Sequence, residues 1–168
     1  MQIIKSTAED INVIFDLYDK AIVFQKVNST QHWLPFERSL VEKELKEDRQ
    51  WKIMMNGDVA CVFAIAFSDP FIWKEKNSDS AIYIHRIVTN PLFRGNNFVA
   101  GIVEWAKHFA RENYLKYIRM DTWGDNLKLK EHYLKFGFNY LGIITPEKTD
   151  QLPSHYSSIT LALFELSV

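Results

Sequence analysis

Residues 84–110 read IHRIVTNPLFRGNNFVAGIVEWAKHFA. Their first third belongs to AIYIHRIVT at 81–89, a mostly apolar run of the kind that forms a buried strand. Asn90-Pro91 ends it, because proline has no N–H for a sheet ladder and biases its predecessor away from helix. Arg94-Gly95 follows, and over 96–113 Val99, Ile102, Val103, Ala106 and Phe109 recur at helical spacing. The start of a helix offers unpaired N–H groups and partial positive charge, which together suit a phosphate or pyrophosphate. Arg94, just outside that start, can add charge-assisted bonds. A plain strand-to-helix connection reads the same way from this segment alone.

Working outward, QIIK at 2–5 reads as a first strand, and Ser6-Thr7-Ala8-Glu9 has the capping-box pattern that opens a helix. Ile11, Ile14, Phe15, Tyr18 and Ile22 carry that helix to about residue 25. After NSTQHWLP, Pro35 is expected to open a second helix with Leu40, Val41 and Leu45 on one side. WKIMM and DVACVFAIAF read as strands joined at Asn56-Gly57, the pair a type I′ hairpin turn requires. SDPFIWKEKNSDS reads as a loop. Downstream, YIRMDTW is a strand, 126–136 a helix, and FNYLGII and SSITLALFEL the last strands. The order β-α-α-β-β-β-α-β-α-β-β implies an α/β (α+β) mixed sheet with helices on both faces.

Composition narrows the function classes. The 168 residues, 47% hydrophobic and 24% charged, fit one soluble domain over 1–168. A net charge of −1 argues against nucleic acid as a partner, since non-specific affinity comes from neutralising phosphates. One cysteine, Cys61, and five histidines without HxxxH or CxxC grouping predict no disulfide and no metal. The first residues lack a signal-peptide core, and no apolar run is long enough to span a membrane, so a cytoplasmic protein is expected. Aromatics reach 14%, while glycines number only 6.

A second segment, DTWGDNLKLKEHYLKFGF at 121–138, carries chemistry. At about 100° per residue Asn126 and Tyr133 share one helical face two turns apart. A phenol there is either a proton donor pointing into a cleft or an ordinary half-buried aromatic.

Together, in this order and spacing, the two segments resemble the GNAT N-acetyltransferase superfamily. His85-Arg86-Ile87-Val88-Thr89-Asn90-Pro91 matches that family's H-R-L-x-V-x-P strand. Asn126, His132-Tyr133 and Gly137-Phe138 match its N-x-x-x-x-x-[FH]-Y-x-x-x-G-F pattern. The resemblance implies a GNAT-like fold and acetyl-CoA as co-substrate. It implies a splayed gap between 82–89 and 117–122, with the pantetheine arm against backbone of Ile87, Val88 and Thr89, and contact with Asn126. The pyrophosphate would lie over Arg94, Gly95, Asn96, Asn97, Phe98, Val99 and Ala100. Tyr133 would protonate the leaving thiolate, and a bound amine would attack the thioester directly.

On the strand at 81–89, alternation puts Tyr83, His85, Ile87 and Thr89 on one face. His85 is either a relay that takes the amine's proton or a buried strand residue. Asp121 and Trp123 share a face of the neighbouring strand and are expected to line the acceptor side, or to serve structure. Trp33 and Phe36 in one loop, and Phe71 and Trp73 in another, either form an amine pocket or bury area. The family's helix-opening R/Q-x-x-G-x-G/A departs here, with Asn97 and Val99 at the glycine positions. Asn tolerates left-handed backbone, whereas the branched Val99 is expected to crowd the phosphates. The expected activity is acetylation of a small-molecule primary amine by a monomer or homodimer. The competing expectation is a GNAT-fold module that binds acyl-CoA weakly and regulates.

Overall fold

In chain order the strands are β1 (Gln2–Lys5), β2 (Gln50–Met55), β3 (Asp58–Ala66), β4 (Ala81–Thr89), β5 (Tyr117–Trp123), β6 (Asn139–Ile144) and β7 (Leu161–Ser167). The helices are α1 (Ile11–Asn28), α2 (Arg38–Lys46), the single turn α3 (Pro70–Trp73), α4 (Phe98–Glu112) and α5 (Leu127–Lys135). The computed structural model describes residues 1–29, 31–124, 127–147 and 159–168. The strands form one mixed sheet in the order β1-β2-β3-β4-β5-β7-β6, with β4 and β5 parallel. The chain gathers into two compact units, Met1–Ile65 with Arg86–Val99 and Ala66–His85 with Ala100–Val168. None of the described helices is long and apolar enough to cross a membrane.

In the first unit β2 pairs antiparallel with both β1 and β3. Asn56 and Gly57 make the tight turn of the β2–β3 hairpin with φ of 55° and 89°, the signs a type I′ turn demands. Ile11, Ile14, Leu17 and Tyr18 of α1 bury against Val41 and Leu45 of α2, Val62 of β3 and Val88 of β4. The capping box falls one residue later than Ser6-Glu9 predicts, at Thr7 and Asp10, and opens a 3₁₀ turn over Ala8–Asp10 ahead of α1. The Ser6 N–H still bonds the Gln50 carbonyl at 2.8 Å, so Thr7 takes the capping place and its N–H donates to the Asp10 carboxylate at 2.7 Å. Likewise α2 opens at Arg38 rather than Pro35, because Trp33 and Phe36 fold back onto Tyr18 with ring centroids 6.4 and 4.9 Å away.

Lys52 of β2 clamps both Asp10 oxygens at 2.7 Å. Burial opposes the charged form, yet Lys52 and the Thr7 N–H together hold the Asp10 carboxyl below its ordinary 3.8. A depressed carboxyl contributes stability above its unfolded value and loses it as pH falls through the folded one. Lys52→Met is therefore expected to cost about 1 kcal/mol at pH 7 and nothing in strong acid, read from urea melts at both pH values.

The second unit is built on β5, which pairs along its full length with β7 antiparallel, while β7 also pairs with β6. The parallel pairing of β4 covers only Ala81↔Tyr117 to Ile84↔Met120. Just past it, Arg86 has φ of 49°, a left-handed conformation that interrupts the alternation of β4. The single face expected over Tyr83, His85, Ile87 and Thr89 is therefore broken at Arg86. Beyond the break, Arg86 packs its guanidinium on Phe36 at 5.3 Å and Val88 buries in the α1–α2 core.

The segment expected to be loop between β3 and β4 holds α3, opened by Pro70, then a 3₁₀ turn over Lys74–Ser78. Ile72, Trp73, Ala81, Tyr83, Leu161 and Leu163 form this unit's apolar cluster. Arg119, fully buried in β5, is held at 2.6 Å by Asp79 and 2.7 Å by Glu165 and donates to the Tyr83 hydroxyl at 2.9 Å. Its guanidinium also lies 4.9 Å from the Trp73 ring and 5.0 Å from that of Tyr117.

Candidate active site

The phosphate-loop segment lies in the first unit. Gly95 and Asn97 have φ of 88° and 48°, so the loop makes two left-handed steps before α4 begins at Phe98. Asn97 thus takes the backbone conformation expected of it. Val99 lies inside the helix, where no left-handed backbone is required, so a glycine's freedom is not missed there and only the bulk of its Cβ distinguishes it. The Arg94 guanidinium stacks 4.5 Å from the Phe24 ring with its residue exposed. Asn96 caps the preceding turn, its side-chain N–H₂ donating to the Phe93 carbonyl at 2.9 Å. An exposed arginine beside the free N–H groups of a four-turn helix is chemically suited to an anionic group. Cys61, buried in β3, is inert at neutral pH, since burial pushes its thiol up to about 12.

In the second unit the motif spacing around Tyr133 has a mechanical reason. Gly137, with φ of 87°, ends α5 by a left-handed step, and its N–H bonds the Leu134 carbonyl at 3.0 Å. The chain then folds back so that Phe138 packs against Tyr133, centroids 6.1 Å apart, while Phe164 of β7 meets its other side at 5.2 Å. Tyr133 is only 6% exposed. Burial first, and then the charge of Asp121, push its phenol well above the ordinary 10. It is therefore a protonated donor throughout the neutral range.

His85 lies in the same unit between two carboxylates. Its Nδ1 is 3.7 Å from Asp121 Oδ1 and its Nε2 is 3.7 Å from Asp69 Oδ2. All three side chains are largely buried. Burial pushes the Asp69 carboxyl up to about 6 and the Asp121 carboxyl to about 7, the latter also raised by Asp69's charge. One ligand atom from each lies within 4.8 Å of the others, a spacing also compatible with a metal ion. The two carboxylates nevertheless approach different nitrogens of the ring, and an ion takes only one of those nitrogens. The arrangement sets an imidazole between two carboxyls, each just beyond hydrogen-bond length from a different ring nitrogen.

Other sequence-derived residues fall elsewhere. Trp33 donates its backbone N–H to Gln25 at 2.8 Å and packs on the α1 core, and Trp73, 3% exposed, meets the Tyr83 ring edge-on and lies 4.9 Å from the Arg119 guanidinium. Tyr83, 1% exposed, donates to Asn77 at 3.2 Å and accepts from Arg119, so its hydroxyl is committed. Trp123 packs against the same apolar cluster, half-buried. For Trp33, Trp73 and Tyr83, burying area is thus what the packing displays. Val88 is buried, Ile87 and Thr89 half-buried, and Ala100 sits in the first turn of α4. Asn126 lies outside the described residues. Sequence reasoning missed Asp69 and Arg119. Asp69-Pro70 looks like a turn signal, and nothing local tells that its carboxylate, at the start of α3, faces His85 of β4. An arginine in the middle of YIRMDTW is the one visible hint of a buried ion pair.

No protein-family model matches the chain. An uncharacterised N-acetyltransferase of Bacillus subtilis, YesJ, is 27% identical over 77 residues, spanning 44% of this chain and 41% of that protein. A GNAT-family acetyltransferase from Listeria monocytogenes superposes with a TM-score of 0.80 at 19% identity, over 99% of this chain and 94% of its own. A Salmonella typhimurium acetyltransferase, yncA, solved with its cofactor acetyl-CoA, superposes with a TM-score of 0.69 at 12% identity, over 99% and 93%. With its strand order, the parallel pairing that stops at Ile84, and these superpositions, the chain has the fold of the GNAT N-acetyltransferases.

Proposed function

We propose that the chain, acting over 1–168 as one GNAT-like domain, is an acetyl-CoA-dependent N-acetyltransferase that passes an acetyl group directly to a primary amine of a small molecule. The observation that carries this reading is the coexistence, within one unit, of a buried protonated phenol, Tyr133, and an imidazole, His85, facing two carboxylates. Direct aminolysis of a thioester needs both a group that supplies a proton to sulfur and one that takes a proton from nitrogen. The loop from Arg94 to Ala100 is assigned the carrier's phosphates, with Arg94 and the first N–H groups of α4 as donors, and backbone of Ile87, Val88 and Thr89 the pantetheine arm. Bound acetyl-CoA supplies the activated acyl group. Asp121 and Trp123 are assigned to the acceptor side.

The binding-module reading leans on Val99 alone, since Asn97 already holds the required backbone. Calorimetric titration separates the two. Acetyl-CoA is expected to bind with a dissociation constant in the micromolar range and an Arg94→Ala chain about tenfold more weakly. No heat at millimolar acetyl-CoA would leave the enzyme reading without support. Thiol release against a panel of aliphatic amines then reads turnover, and His85→Ala is expected to change the shape of its pH profile. An unchanged profile removes the base assignment.

A further inference from the structure

Asp69 Oδ2 is buried and has no hydrogen-bond partner. Its residue is 9% exposed, at the start of α3, and the orphaned oxygen is the one that faces His85 Nε2 at 3.7 Å. Leaving a buried carboxylate oxygen unbonded is costly, and the backbone hydrogen bond from Ile72 that the carboxyl receives does not offset its burial. The residue is also placed firmly. Its own N–H accepts no freedom, being bonded to the Asn77 side-chain oxygen at 2.6 Å, and its carbonyl receives the Trp73 N–H at 2.9 Å. An orphaned acceptor on a fixed backbone thus faces one nitrogen of an imidazole whose other nitrogen faces Asp121, leaving a carboxyl at each end of the ring.

We propose that Asp69 is the terminal proton acceptor of an acid–base relay running from the amine through His85. The proposal rests on the acetyltransferase reading. The incoming ammonium gives a proton to His85 Nδ1 on the edge shared with Asp121, the ring closes from 3.7 Å to hydrogen-bond contact and releases its Nε2 proton to Asp69 Oδ2, and the amine's lone pair is freed. That pair forms the C–N bond at the thioester carbonyl, the C–S bond breaks with its electrons going to sulfur, and Tyr133 protonates the thiolate. The proton then lost from nitrogen restores Tyr133, Asp69 returns its proton to His85 Nε2 as Nδ1 releases one to water, and each turnover releases one proton. The substrate class follows: an aliphatic amine, which arrives protonated at neutral pH, rather than an arylamine.

Among the described residues, the groups facing this relay are these. His85 and Tyr83 of β4 and Asp121 of β5 face Asp69, Tyr133 of α5 faces Asp121, and Arg119 stands behind Tyr83. Asp69→Asn keeps the shape and removes the charge. Because Asp69 raises Asp121, carbonyl-carbon NMR of the variant is expected to put Asp121's titration at lower pH, with no substrate present. Thermal unfolding at pH 7 is expected to be unchanged or higher, since an orphaned buried charge is gone. A carboxyl raised on folding costs stability only above its unfolded value, so any gain vanishes below the ordinary 3.8.

In the thiol-release assay kcat is expected to fall about tenfold with KM for acetyl-CoA unchanged, the acid limb moving to lower pH, and Asp69→Glu restoring part of the rate. An active wild type with an Asp69→Asn rate and pH profile like its own overturns the relay alone. A lower melting temperature with a uniform loss at every pH, or failure of Asp69→Asn to fold, makes Asp69 structural and overturns it too. Activity that EDTA abolishes and a divalent cation restores makes the cluster a metal site instead. A wild type that releases no thiol with any amine sinks the acetyltransferase reading, and the relay with it, even where Asp121's titration moves.

Discussion

Tyr133→Phe is expected to lower kcat by about 10²-fold or more, while KM for acetyl-CoA and the melting temperature stay close to those of the unaltered chain. The substitution removes one oxygen and keeps the ring, so the edge contacts with Phe164 and Phe138 that fix the turn after α5 survive. What goes is a proton that burial and the neighbouring Asp121 keep on the phenol through the neutral range. A hundredfold loss corresponds to about 2.7 kcal/mol of barrier, the scale of one positioned proton donor. Because the phenol is pushed upward, the unaltered chain is expected to show no basic limb from Tyr133 near neutrality, and the loss in the variant should be uniform across that range. An unchanged kcat would remove Tyr133 from the chemistry and leave it as packing.

Strand and helix order was readable because nearly every element has a clean period or a turn with one cheap conformation. Asn56-Gly57 and Gly137 are such turns, each with the positive φ its neighbours demand. The boundaries that moved did so for tertiary reasons: Ser6 is still bonded to β2, and Pro35 is overruled by the packing of Trp33 and Phe36 on Tyr18. Tyr133 and His85 stood out from their motifs, and the structure puts both in one unit with Asp121. Alternation failed at Arg86, whose left-handed backbone no residue preference announces. Asp69 was invisible for a different reason. Its partners lie 16 and 52 positions further along, and only the folding of the α3 turn against β4 and β5 brings the three carboxylate and imidazole groups together. Of the loop aromatics that suggest a ligand pocket, Trp33 and Phe36 go into packing around Tyr18 and Trp73 into packing around Arg119.

That second cluster sets the other large effect. Arg119→Met is expected to cost about 3–5 kcal/mol of stability, read as a drop of about 10 °C in the melting temperature. Arg119 has no exposed surface and satisfies Glu165, Asp79, the Lys76 carbonyl and the Tyr83 hydroxyl at once. Methionine fills the volume but leaves Glu165, 13% exposed, as a buried charge without a partner, whereas Asp79 at 41% can return to water. The damage should therefore trace to Glu165, and adding Glu165→Gln to Arg119→Met is expected to recover part of the loss. Lysine at 119 keeps the charge but not the fork that reaches four acceptors, so it should fall between methionine and arginine. A loss under 1 kcal/mol in Arg119→Met would show the network to be dispensable. The consequence for chemistry is direct, because the same network fixes Tyr83, which bonds Asn77, and Asn77 in turn holds the backbone of Asp69. Loosening Arg119 is thus expected to weaken the alignment of Asp69 with His85 before the chain unfolds, so turnover should decline at temperatures where the folded signal is still intact.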